Sequence, residues 1–120
     1  MSLTAGKARR LDPRIDTIAR ALPAVTHVVQ WGNHDVYKVG GKVFAISGDG
    51  VSMKVSDIGY EVLTENGMAR PAPYMARNKW VLFDDTRGMD EDELAGHLAN
   101  AHMIVAGKLT KKLKAELGLV

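Results

Sequence analysis

The side chains able to do acid–base, metal or nucleophilic chemistry are few and poorly grouped. Four histidines, His27, His34, His97 and His102, are scattered along the chain, and cysteine is absent. The lack of cysteine excludes disulfides, thiol catalysis, iron–sulfur clusters and thiolate zinc sites. His97 and His102 stand five residues apart, so on a helix they do not share a face as an i,i+4 pair would, and no His-Glu-x-x-His pattern occurs. The acidic run from Asp84 to Glu93 misses calcium-loop spacing, because Gly88 at the sixth position would make Phe83 the first ligand. No metal is therefore expected. Gly40-Gly41-Lys42 has the composition of a phosphate loop but not its spacing. Val36 stands where that loop needs its first glycine, and Val43 where it needs Ser or Thr. Gly48-Asp49-Gly50 reads as a turn. Ser47, Ser52 and Ser56 have no histidine and carboxylate fixed to them by spacing. The expectation is a protein without a catalytic constellation and without a cofactor.

One group of residues does suggest binding. Arg70, Tyr74, Arg77, Asn78, Lys79 and Trp80 cluster around Pro71 and Pro73, where cations interleaved with aromatics could clamp a phosphate-bearing or anionic partner. Trp31, which precedes a Gly32-Asn33 turn, is expected near them. The structural alternative is that Trp31 and Trp80 are core aromatics and Arg77 ties the loop to backbone carbonyls. Sixteen Lys and Arg against fourteen Asp and Glu leave a net charge of only +2, but the charges are unevenly placed. Residues 1–20 carry Lys7, Arg9, Arg10, Arg14 and Arg20 against Asp12 and Asp16, and residues 107–120 carry Lys108, Lys111, Lys112 and Lys114 against Glu116. Residues 84–93 carry six acids against Arg87. If the two basic ends pack together they form a face that meets phosphate, with Lys111 and Lys112 in it. Otherwise they are solvated helix faces.

The elements that must position these residues are legible. Asp12-Pro13 marks a helix start, Ile15, Ile18, Ala19 and Leu22 make one apolar stripe, and Pro23 stops the helix. Strands are expected over 25–31, 35–39, 42–47 and 51–55, with Gly40-Gly41 as a two-residue hairpin loop. In the last of these, Val51, Met53 and Val55 point inward and Ser52 and Lys54 outward. Ser56 caps a helix reaching Asn66, with Ile58, Val62 and Leu63 as its buried edge and Gly67 beyond its end. Residues 68–78 read as a loop, and 79–83 as a fifth strand. Asp90 with Glu93 predicts a capping box, and Met89 with Leu94 a hydrophobic staple, at the start of a helix striped by Leu94, Leu98, Ala101 and Val105. Thr110 caps a last basic helix. The order α-β-β-β-β-α-β-α-α predicts an α+β fold in two layers, an antiparallel sheet of about five strands with helices on one face.

With 120 residues, 46% apolar and 25% charged, the chain reads as one globular domain over 1–120, residues 1–10 being a flexible basic arm. No apolar run approaches the ~18 residues of a membrane span, and no leader segment is visible. A cytoplasmic monomer that does not contact membranes is expected.

The blocks Ala21-Leu22-Pro23, Val25-Thr26, Trp31-Gly32, the run from Val36 to Ala45, Ser52 to Val55, and Pro71 to Val81 resemble, in order and spacing, the MmcQ/YjbR family of small bacterial proteins. The basic stretch from Lys108 to Leu113 is similar to the family's C-terminal end, and the resemblance covers about residues 10–117. It implies a two-layer α+β fold and the "double wing" shape for which DNA binding has been inferred. The family commonly has Ser-Tyr where this chain has Ala101-His102, and it supplies no catalytic residue to carry over. Two functions follow as expectations. One is a DNA-binding module acting through phosphate contacts, with Trp31, Arg70, Tyr74, Arg77, Lys79, Lys111 and Lys112 as binding residues. The alternative is a protein- or peptide-binding adaptor without catalytic activity.

Overall fold

The computed structural model describes residues 11–73 and 75–119. The expected N-terminal arm lies outside them. Helix α1 (Pro13–Arg20) starts as its sequence implies: Pro13 opens it, and the Asp12 carboxylate accepts from the Arg14 amide at 3.1 Å. A meander follows, with β1 (Val25–Gln30), β2 (His34–Val39), β3 (Lys42–Gly48) and β4 (Gly50–Lys54). Helix α2 (Asp57–Glu65) is capped by Ser56. Then come a short β5 (Arg70–Pro71), a 3₁₀ turn (Ala76–Asn78), β6 (Trp80–Phe83), helix α3 (Glu91–Gly107) and helix α4 (Lys111–Glu116). The strands form one antiparallel sheet of six, in the order β1-β2-β3-β4-β6-β5.

Two details of the 68–78 segment depart from a plain loop. Arg70 and Pro71 pair with Leu82 and Val81 as a sixth, edge strand, a position proline tolerates because its missing N–H faces away from the ladder. The 3₁₀ turn then ends on Lys79 in a left-handed conformation (φ 60°), which swings the chain into β6.

Register decides what each sheet face carries. Tyr37, Ala45, Met53 and Val81 lie opposite one another across four strands, and Val51 pairs with Phe83 in the next row. These residues are buried beneath Ile15 and Ala19 of α1, Leu63 of α2 and the Leu94, Leu98, Ala101 and Val105 stripe of α3. At Tyr37/Lys38 the register slips, leaving Phe44 as an extra residue. This bulge lets the neighbours Phe44 and Ala45 both enter the same core, which strict alternation forbids. The other face carries the row Val36, Ile46, Ser52, Leu82 and Arg70, with no α-helix over it among the described residues.

The buried edge expected for α2 is mostly wrong. Leu63 is buried, but Ile58 is 76% and Val62 53% exposed. Helix α2 touches the sheet at β5 and β6, near its margin, so only one line of its side chains reaches the core. The capping of α3 is also simpler than expected: Asp90 accepts from the Asp92 amide at 3.0 Å.

Candidate functional site

The bare face of the sheet holds a groove of about 520 Å³. Ile46, Ser52 and Leu82 of β3, β4 and β6 make its floor, Trp31 and His34 one wall, and Pro73 and Met75 the other. Trp31 thus shares a groove with Pro73 and Met75 of the proline loop, but Arg70, Arg77, Asn78, Lys79 and Trp80 do not line it. Trp31 is 58% exposed and so is no core aromatic, whereas Trp80 is buried.

The Trp31 wall is held in an unusual backbone. Trp31, Gly32 and Asn33 all have positive φ, of 49°, 74° and 73°. A bulky residue in the left-handed region is strained, by ~1–3 kcal/mol. His34 Nδ1 hydrogen-bonds the Trp31 carbonyl. A carbonyl only accepts, so Nδ1 carries the hydrogen, and Nε2 of the neutral ring is left as an acceptor. The ring lies on Gly48, where any Cβ would collide with it.

A second feature sits at the end of the sheet where β4 finishes and β6 begins. Lys54 is buried on the bare face, two residues beyond Ser52, and its ammonium donates to the Asn78 carbonyl. Burial chiefly lowers its pKa, and the positive charge of Lys108 lowers it further; Asp57 opposes this, and Lys79 adds a smaller lowering than Asp57 restores. Lys54 of β4 therefore feels the lysines of the turn before β6 and of the end of α3, with Asp57 of α2 also near it. Helix α4 begins at this same end, because Leu109 packs on Gly40 of the β2–β3 turn. The acidic residues Asp84, Asp85 and Asp90 to Glu93 lie at the opposite end, around the β6–α3 connection.

The residues expected to bind are thus divided. Lys79 is in the basic cluster, its ammonium 4.8 Å above the Tyr60 ring. Arg77 is exposed and makes no ion pair among the described residues. Lys111 and Lys112 are exposed on α4. Arg70 is drawn away, since its guanidinium forks onto Asp84 at 2.9 and 3.0 Å. Tyr74 lies outside the described residues. Sequence reasoning missed His34, Ile46, Leu82 and Met75 in the groove and the role of Lys54 in the cluster. The outward alternation of Ser52 and Lys54 was the one signal for them.

Two further polar groups hold the scaffold. Tyr37 donates to Asp16 at 2.8 Å, and burial with that carboxylate raises its pKa well above the usual phenol value. His102 meets the Pro23 carbonyl at 2.8 Å and packs edge-on against Phe44, so it anchors α3 to the chain leaving α1. Among the described residues no group of three or more His, Asp or Glu is placed to hold a metal ion, and no helix is long and apolar enough to cross a membrane.

This architecture defines a small two-layer α+β domain with helices on one sheet face and a groove on the other. The chain belongs to the YjbR family, whose model matches residues 20–104. It is also similar to the crystal structure of Deinococcus radiodurans protein DR2400, which carries the domain of unknown function DUF419. That likeness has a TM-score of 0.76 at 21% identity, over 88% of this chain and 86% of the other. Comparison with curated proteins finds no match.

Proposed function

We propose that this protein is a non-catalytic module that binds nucleic acid mainly through phosphate. The observation that carries this reading is the basic cluster. Lys54, Lys79 and Lys108 come from three separate elements, and one of them is buried. Gathering like charges opposes folding, and a polyanion docked there relieves that repulsion. Exposed Arg77, Lys111 and Lys112 widen the same end, while the acids at the far end orient the molecule on its partner. Contacts of this kind are largely independent of base sequence, and affinity should be modest, ~10⁻⁴–10⁻⁶ M at physiological salt.

The measurement is fluorescence anisotropy of a labelled duplex. Binding should weaken steeply between about 50 and 200 mM salt. Replacing Arg77 and Lys79 together by Ala should weaken it alike for all sequences. Absence of binding at the lower salt sinks the reading. Binding untouched by the double substitution places the interface elsewhere.

A second reading, a protein-binding adaptor, is favoured by the exposed apolar residues along a groove between α2 and α3. Ile58, Val62 and Met103 are 76%, 53% and 62% exposed there, and Asp57, Glu61 and Glu65 flank them on α2. A basic amphipathic peptide titrated onto the protein should bind, and Val62→Asp should abolish it, if this reading holds.

A further inference from the structure

The phosphate contacts leave the groove on the bare sheet face unused, and its chemistry is specific. It is of a size that takes a small ligand or one ring of a larger one. Its floor is mostly apolar, with Ser52 between Ile46 and Leu82, and its walls stand on opposite sides, Trp31 on one and Pro73 with Met75 on the other. The shape is a slot for something planar. Trp31 keeps its indole largely in water on a strained backbone, a state that neither burial nor conformational preference favours, and a ring stacked on it would cover that surface. Besides Asp49, two polar side chains line the slot. His34 offers Nε2 as an acceptor, because its Nδ1 is committed to the Trp31 carbonyl. Ser52 offers a hydroxyl that makes no hydrogen bond among the described residues. A planar ring with an N–H beside a carbonyl on its edge satisfies both, the N–H donating to Nε2 and the carbonyl accepting from the Ser52 hydroxyl.

The surroundings give the slot a direction. Asp49 lines one end and disfavours phosphate there. From Ser52 the same face of β4 leads to Lys54, about 7 Å along the strand, and Arg77 follows Met75 by two residues. Lys54 is buried with its ammonium on the Asn78 carbonyl, so the cation a backbone leaving the slot toward the basic end meets is exposed Arg77. In a duplex the bases are paired and stacked, with no ring free to enter.

We propose that the groove takes one unpaired nucleobase of a single-stranded nucleic acid, stacked on Trp31 and hydrogen-bonded at its edge to His34 and Ser52. Its phosphates run over the Arg77 and Lys79 end. This rests on the phosphate-binding reading above and narrows it from nucleic acid in general to single strands.

The experiment compares four probes by fluorescence anisotropy or competition at low salt: a labelled oligodeoxythymidylate, an abasic strand of equal length, a duplex, and free thymidine. The single strand should bind about tenfold tighter than the abasic strand or the duplex, the effect expected of one stacked base. Trp31→Ala should erase that preference while leaving duplex binding intact, and Trp31→Phe should restore most of it. His34→Ala and Ser52→Ala should each reduce it. Arg77→Ala with Lys79→Ala should weaken strand and duplex together. Unchanged circular dichroism melting shows that each variant is folded. Equal affinity for strand, abasic strand and duplex, or a preference that survives Trp31→Ala, overturns the inference while the phosphate reading stands. Free thymidine binding as tightly as the strand overturns it in favour of a nucleoside site. No binding by any probe removes both.

Discussion

Asp12 is buried, yet it is held ionised by the donors around it. The Arg14 guanidinium binds it at 2.8 and 3.0 Å, the Thr86 hydroxyl at 2.9 Å and the Arg14 amide at 3.1 Å. Arg14 chiefly, and then Thr86, hold its carboxyl below the usual range despite the opposing effect of burial. Arg14 Nη1 donates to the Met89 carbonyl and Nη2, besides binding Asp12, to the Thr86 carbonyl, so one ion pair ties α1 to the connection before α3. A carboxylate with a depressed folded-state pKa contributes stability that is fully present above its unfolded value, about 3.9, and is lost as pH falls through the folded value. Urea unfolding should therefore show an acid-side loss of stability beginning near pH 4, and Asp12→Asn should flatten it. Asp12→Ala should cost about 2–3 kcal/mol at neutral pH, from a lost helix cap and a buried Thr86 hydroxyl left without its acceptor. Asp16, held low mainly by Arg20, adds little because that pair is about half exposed.

Among the elements, α3 and α2 make opposite predictions from similar-looking apolar stripes. Leu98 is fully buried over the sheet, and Leu98→Ala should cost ~2–5 kcal/mol in urea denaturation. Ile58 stands in solvent, and Ile58→Ser should change stability by no more than ~0.5 kcal/mol. The β2–β3 turn gives a third case. Gly40 and Gly41 have φ of 60° and 80°, the pair of positive values expected of a two-residue hairpin loop. A Cβ on Gly40 would also press to 2.6 Å of the Leu109 side chain. Valine at both positions should destabilise the fold by a few kcal/mol, visible as a lower urea midpoint with an unchanged slope.

For the whole molecule the governing feature is charge polarity along the strands. Antiparallel order brings the ends of β4 and α3 and the start of β6 to one pole, while the β6–α3 connection and its carboxylates form the other. A net charge of +2 conceals this separation. Reversing charge at one pole should therefore act far more strongly than reversing it at the other. Lys111→Glu with Lys112→Glu should weaken duplex binding by at least tenfold and reduce its salt slope by about two, whereas Glu91→Lys with Asp92→Lys should leave the slope nearly unchanged.

Local rules were enough to read the helix starts at Asp12, Ser56, Asp90 and Thr110, the Gly40-Gly41 hairpin, the inward stripe of α3 and the α+β class. Each depends on neighbours within a few residues and on the period of the burial pattern. The resemblance in blocks between Ala21 and Val81 carried the family. What tertiary structure alone decided involves partners distant in the chain. Arg70 was a free cation until Asp84 stood beside it. Ile58 and Val62 were core residues until α2 settled at the margin of the sheet. Phe44 and Ala45 share a face only because β2 and β3 slip register. The groove exists because a strained turn at Trp31 and a loop at Met75, forty-four residues apart, flank the same pleat. Side-chain period fixes which way a residue points, but not what the rest of the chain places in front of it.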